Sequence, residues 1–186
     1  MKNRPTPLAP GPGRRANGSG RARIGVRPLE ASDEEAFIRA ARRSRALHQP
    51  WVSAPCTANA FASYLARFAS PAHHGFVVYL HPSGELVGAV NLTNVVLGNF
   101  RSGYLGYFAF CGQEGRGYMR RGLQQVIRHA FRHLKLHRLE ANVQPGNARS
   151  IELVRRCGFR KEGFSHGYLK IRGRWRDHER WAIIRP

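Results

Sequence analysis

Gly115-Arg116-Gly117 stands between a strand-like aromatic run, ending at Cys111-Gly112, and a helical pattern that begins just after it. In that setting several free backbone N–H groups, at the positive end of a helix, converge on one point. Oriented amides bind anions and glycine lets an anion approach the chain closely, so the turn suits a phosphate-bearing cofactor. A tight strand-to-helix turn without a ligand has the same spelling. His129, His133 and His137 recur at i, i+4 and i+8 and would share one helix face. That spacing includes no cysteine or carboxylate and arginines surround it, so a solvated face is expected rather than a metal site. Cys56, Cys111 and Cys157 are odd in number, lack metal-like spacing, and read as reduced intracellular thiols in a cytoplasmic protein.

These residues sit in a chain of 186, enough for one domain with a proper core. Hydrophobic content is 42%, ordinary for a globular protein, and no run approaches the ~20 apolar residues of a membrane helix. Lys and Arg total 31 against 11 Asp and Glu, a formal charge of +20. A charge of that size attracts polyanions such as RNA or a ribonucleoprotein and disfavours a strongly cationic substrate. Residues 1–23 carry six basic side chains, no acidic ones and little to bury, and are expected to be a disordered tail; residues 24–186 are the domain.

The elements that must position the glycine turn follow from periodicity. Ile24–Leu29 alternates like a first strand. Ser32 is expected to cap a helix with Asp33, Glu34 and Glu35 in its first turn, ending towards Pro50-Trp51; Thr57 opens a second. Strands are expected at Gly75–Leu80, Glu85–Thr93 and Arg101–Phe110, the first two joined by a hairpin at His81–Gly84. After the glycine turn, Leu123, Val126, Ile127, Ala130, Phe131 and Leu134 make one helix face. A strand at His137–Val143 precedes a helix capped by Asn147 and ended by Gly158, and strands at Phe159–Lys170 and Trp175–Ile184 close the chain. The order is β-α-α-β-β-β-α-β-α-β-β, an α/β domain with a mixed sheet.

Glu114-Gly115-Arg116-Gly117-Tyr118-Met119, the pair Asn147-Ala148-Arg149-Ser150 and Cys157-Gly158-Phe159, and the hairpin run Gly167–His178 occur together and in this order. In this the chain resembles the GCN5-related N-acetyltransferase (GNAT) superfamily, and more closely its ribosomal-protein alanine N-acetyltransferase (Rim-like) branch, from about Arg23 onward. The resemblance implies a mixed, mostly antiparallel sheet flanked by helices, with acetyl-coenzyme A as co-substrate and no metal. Backbone groups at Phe108, Ala109 and Phe110 would meet the pantetheine arm and the acetyl carbonyl. Amides from Gly115, Arg116, Gly117, Tyr118 and Met119 would hold the pyrophosphate. Asn147 would bond the pantetheine chain, with Ser150 beside the thioester sulfur. The sequence departs from the family pattern twice. Glu114 stands where Gln or Arg is usual, so its carboxylate should point away from the pyrophosphate. Val154 stands where many members carry a tyrosine acid, which leaves Ser150 to protonate the departing thiolate, directly or through water.

The implied reaction is direct attack of a neutral amine in a ternary complex, with Cys111 and Cys157 as packing groups. An α-amino group, pKa ~7.7–8.0, is roughly a tenth neutral at pH 7, a penalty of about 1–1.4 kcal/mol. A lysine near 10.4 would need about 4.6 kcal/mol. No crowded carboxylate pair supplies a strong base, so the arithmetic favours a protein N-terminus, with Glu140 and ordered water taking the proton. Glu162, Asp177 and His178 stand behind Glu140, and Pro50-Trp51 is a candidate wall of the acceptor groove. The acceptor implied is the N-terminus of a ribosomal protein. A small amine or antibiotic is the rival acceptor, and a ribosome- or RNA-associated binding protein that keeps the fold is the rival class.

Overall fold

The computed structural model describes residues 22–186, so the expected tail lies outside the described residues except at its end, where Arg23 already opens the first strand. Seven strands form one sheet: β1 (Arg23–Pro28), β2 (His74–His81), β3 (Leu86–Val96), β4 (Ser102–Ala109), β5 (Arg138–Val143), β6 (Arg160–Ile171) and β7 (Arg174–Ile184). Their spatial order is β1-β2-β3-β4-β5-β7-β6. All neighbours are antiparallel but one: β4 and β5 run parallel.

Helices cover both faces because the strands alternate their apolar side chains. On one face α4 (Tyr118–Arg132) buries Leu123, Val126, Ile127 and Ala130 against Val78, Val90, Leu139 and Ala141, beside α5 (Ala148–Arg156). On the other, α1 (Glu34–Arg43) and α3 (Ala58–Ala66) pack Phe37, Phe61 and Tyr64 over Ala89, Phe108 and Phe110. Phe37 is fully buried, with the rings of Phe61, Phe108 and Phe110 centred 5.2, 6.0 and 5.3 Å away. Truncating a ring so enclosed costs about 3–5 kcal/mol.

The parallel pair is short. β4 and β5 match only at Ser102↔Arg138, Gly103↔Leu139 and Tyr104↔Glu140. Beyond Tyr104 the strands diverge, and Leu105–Ala109 meets β3 on one side and no strand on the other. The domain therefore has a V-shaped cleft in the middle of its sheet.

Three local expectations change. Ser32 does not cap the first helix; it lies in a 3-10 turn (Ala31–Asp33) that leads into α1, where Asp33 accepts from the Glu30 N–H at 2.9 Å and both Asp33 oxygens accept from Arg27. That helix also breaks at Ser44, with a four-residue turn α2 (Arg45–His48) following. His137 does not share a helix face with His129 and His133: α4 ends at Arg132, Lys135 takes a positive φ of 55°, and the His137 N–H pairs with the Arg101 carbonyl at 2.6 Å. No cluster of three or more His, Cys, Asp or Glu able to hold a metal occurs among the described residues.

Candidate active site

The cleft has an open backbone edge. The Phe110 N–H donates to the Val87 carbonyl at 2.7 Å, and in an antiparallel ladder the alternate residues then face the other way. Phe108 shares the phase of Phe110, whereas Tyr107 and Ala109 present their N–H and C=O groups to the cleft. The Ala109 carbonyl already accepts from His48 Nε2 at 2.8 Å, which leaves Tyr107 and the Ala109 N–H as the free edge. Of the three residues expected to bond a ligand through the backbone, only Ala109 has the right phase, and Tyr107 joins it.

At the top of β4 the chain turns through the glycines. Gly115 and Gly117 have φ of 73° and 71°, and a Cβ built on either meets nothing within 4 Å. The positive φ explains why glycine is needed there, and the open space leaves room for a ligand. Gly117 is the N-cap of α4, and among the described residues no side chain caps that helix. The first helical bond runs from the Arg121 N–H to the Gly117 carbonyl at 3.2 Å, so the amides of Tyr118, Met119 and Arg120 precede it. The whole turn from Glu114 to Gly117 is exposed. An uncapped helix N-terminus behind a turn that Gly115 and Gly117 leave open fits a diphosphate by charge and by shape. The ring of Tyr118 packs into the core, so only its backbone can serve the turn. Glu114 folds back on its own loop, its Oε2 accepting from the Gly112 N–H at 2.7 Å, and leaves the helix end clear.

Across the cleft, Asn147 Oδ1 accepts from the Ser150 N–H at 3.2 Å, capping α5 and setting Ser150 on its first turn. The Ser150 Oγ lies 2.7 Å from the Tyr107 hydroxyl, which is also 3.3 Å from the Ser150 carbonyl. These contacts bridge the two arms of the V. Burial is the main cause holding the Tyr107 phenol above its ordinary pKa, so it stays protonated through the neutral range.

The acids are less free than their spacing suggests. Arg138 Nε donates to Glu140 Oε1 at 2.8 Å, and the same guanidinium grips Glu162. Hydrogen bonding from Arg138 holds Glu162 below the usual carboxylate range, and the Gly167 N–H does the same for Asp177. Glu140 keeps Oε2 unbonded among the described residues and lies where β4 and β5 part. His178 is buried, its Nδ1 2.9 Å from the Arg176 carbonyl, and burial lowers its pKa. The Cys157 thiol is buried, and that burial pushes it up to about 11, a poor nucleophile.

Two hollows flank the Trp51 segment. One, of about 500 Å³, is lined by Val52–Cys56, Tyr64 and Gly106–Phe108; the other, of about 310 Å³, by Trp51, Gln144, Gly146, Trp175 and Asp177. The Trp51 ring rests on Gly146, and its carbonyl accepts from Gln144 at 3.0 Å.

Sequence reasoning missed Tyr107, Ser44 and His48. The Ser44 hydroxyl accepts from the Cys111 N–H at 2.8 Å and, with His48 on Ala109, ties the first helices to the end of β4. None carries a local signal; each acts through a partner more than 40 residues away.

Comparison with known proteins agrees with this geometry. Residues 23–160 match the model of the "Acetyltransferase (GNAT) domain". The chain is 30% identical over 171 residues to the "Probable N-acetyltransferase YjcK" of Bacillus subtilis, covering 88% of this chain and 94% of that protein. It is 43% identical over 102 residues to the "[Ribosomal protein uS5]-alanine N-acetyltransferase" of Escherichia coli, about half of each chain (55% and 53%). Among solved structures it is similar to "Mycobacterium smegmatis RimJ in complex with CoA-disulfide", with TM-score 0.80, 30% identity, and 87% of this chain and 81% of that one covered.

Proposed function

The chain belongs to the GNAT acetyltransferase family, enzymes that use acetyl-coenzyme A, and from that premise we propose that it acetylates the N-terminal α-amine of a ribosomal protein. The observation that carries the reading is the joining of three features in one cleft: an uncapped, glycine-bounded helix end, an open β4 edge and Ser150 opposite. The similarity to a ribosomal-protein-alanine enzyme supports the acceptor class.

Bound acetyl-coenzyme A would supply an activated acetyl thioester. The amides of Tyr118, Met119 and Arg120, with Gly115–Gly117, would hold its diphosphate. Tyr107 and Ala109 would pair with the pantetheine amides as a strand does, with Asn147 at the far side of the cleft. Ser150 then stands at the reacting end, where a hydroxyl donor stabilises charge gathering on sulfur.

The acceptor would enter beside Trp51, with Trp175 as the opposing wall. An α-amine needs only about 1–1.4 kcal/mol of help to lose its proton. Glu140 Oε2 through water is sufficient for that, whereas a lysine would need about 4.6 kcal/mol. The charge of +20 suits an acceptor presented on a ribosome or on RNA. Mass spectrometry of cellular protein N-termini, with and without this enzyme, tests the reading. Loss of acetylation at one or a few alanine-initiated ribosomal N-termini is expected, and an unchanged profile would refute it.

A further inference from the structure

We propose that Tyr107 is a positioning residue for acetyl transfer, holding the Ser150 hydroxyl so that its proton points at the leaving sulfur. The inference rests on the reading of Ser150 given above and adds a residue that no likeness assigned. In the first turn of a helix a serine hydroxyl has easy local partners, because it can turn back onto a nearby backbone carbonyl. Bonded there, its proton faces the helix and not the cleft. In this chain Oγ is instead held from across the cleft, at 2.7 Å, by a phenol from the opposite strand. The phenol has one proton. When it donates to Oγ, the serine proton is free and the serine lone pair is occupied.

The topology places this contact in the cleft. Tyr107 lies on the part of β4 that has no strand beside it, and Ser150 is on the first turn of α5, so their contact spans the gap a thioester must enter. The tyrosine ring packs against the α4-side core, which fixes the hydroxyl in place.

The step balances without net acid chemistry from either residue. As the amine nitrogen bonds to the acetyl carbon, the carbon–sulfur bond breaks and its electron pair leaves on sulfur. Ser150 donates a hydrogen bond to that sulfur and keeps its proton, since an alcohol holds a proton more tightly than a thiol. The proton that ends on the thiol is the one released by the amine, carried by water. Tyr107 remains a neutral phenol throughout.

Tyr107→Phe keeps the ring and removes only the bridge. The turnover number kcat should fall on the order of tenfold, the worth of one hydrogen bond, with KM for acetyl-coenzyme A and calorimetric affinity for coenzyme A unchanged. Ser150→Ala should fall by a similar factor, and the double variant no further than the worse single one. The same cycle on thermal unfolding of the ligand-free protein should also be non-additive, which reads the bridge without turnover. Wild-type kcat in Tyr107→Phe beside an impaired Ser150→Ala overturns this inference alone. Wild-type kcat in Ser150→Ala overturns the reading of Ser150 and this inference with it. Full additivity in both cycles also overturns it.

Discussion

The Ser44 hydroxyl donates to the Ala40 carbonyl at 2.7 Å and accepts from the Cys111 N–H at 2.8 Å, so one fully buried side chain joins the end of α1 to the start of the glycine turn. A buried amide that loses its partner costs ~1–3 kcal/mol. Ser44→Ala should lower the melting temperature and weaken coenzyme A binding, because the turn loses its anchor. Calorimetry on the variant checks both. Full affinity would show that the turn is held by other means.

Gly117 tests the turn itself. Its φ of 71° disfavours any side chain, though the space beside it is open. Gly117→Ala should lower coenzyme A affinity through backbone strain, and Gly117→Glu should abolish it by adding bulk and a negative charge. Titration calorimetry ranks the three proteins. Equal affinities would remove the turn from the cofactor site.

Glu114 tests the electrostatics. Its carboxylate accepts from the Gly112 N–H, a bond that the carbonyl oxygen of a glutamine can also accept. Glu114→Gln should therefore keep the loop and remove one negative charge near the proposed diphosphate site. Coenzyme A affinity should rise a few-fold at low salt, and the gain should shrink as salt screens it. A loss of affinity would mean that the charge orders the loop.

The glycine turn and the Asn147–Ser150 segment were legible because their meaning is local. Positive φ, helix polarity and an N-cap are properties of a few adjacent residues. Element order was legible for the same reason: alternation along β5 and the helical stripe of α4 need no distant partner. The splay of β4 from β5 was not legible, since it depends on which strands meet. Tyr107 reads in sequence only as a strand aromatic until α5 is brought alongside it, 43 residues on. Ser44 and His48 read as ordinary helix residues until β4 is laid against them, 67 and 61 residues away. The same gap hid the ion pairing of Glu162, whose partner Arg138 is 24 residues earlier, whereas Arg138 and Glu140 are only two residues apart on β5.

Stability should fall in mild acid. His129 Nδ1 is buried without a partner among the described residues, and burial, then His133 and His74, pushes the ring down to about 4 from 6.5. Between those values the unfolded chain binds a proton that the folded protein refuses. Stability from this group is thus complete above pH 6.5, declines as pH falls through the window, and levels off below about 4. Burial lowers His48, His74 and His178 as well, and these act with the same sign. Melting temperatures from pH 7 to 4.5 should drop, and His129→Gln should make the slope shallower. Matching slopes in the two proteins would show that His129 titrates normally.

The site of acetylation on a defined peptide separates α-amine transfer from its rivals. A peptide with an N-terminal alanine and an internal lysine is incubated with acetyl-coenzyme A and the enzyme, and the product is located by fragment mass spectrometry. Acetylation of the α-amine is expected, with the lysine left free and no product when the α-amine is blocked beforehand. Acetyl groups on lysine alone, or turnover only on small amines, would contradict it.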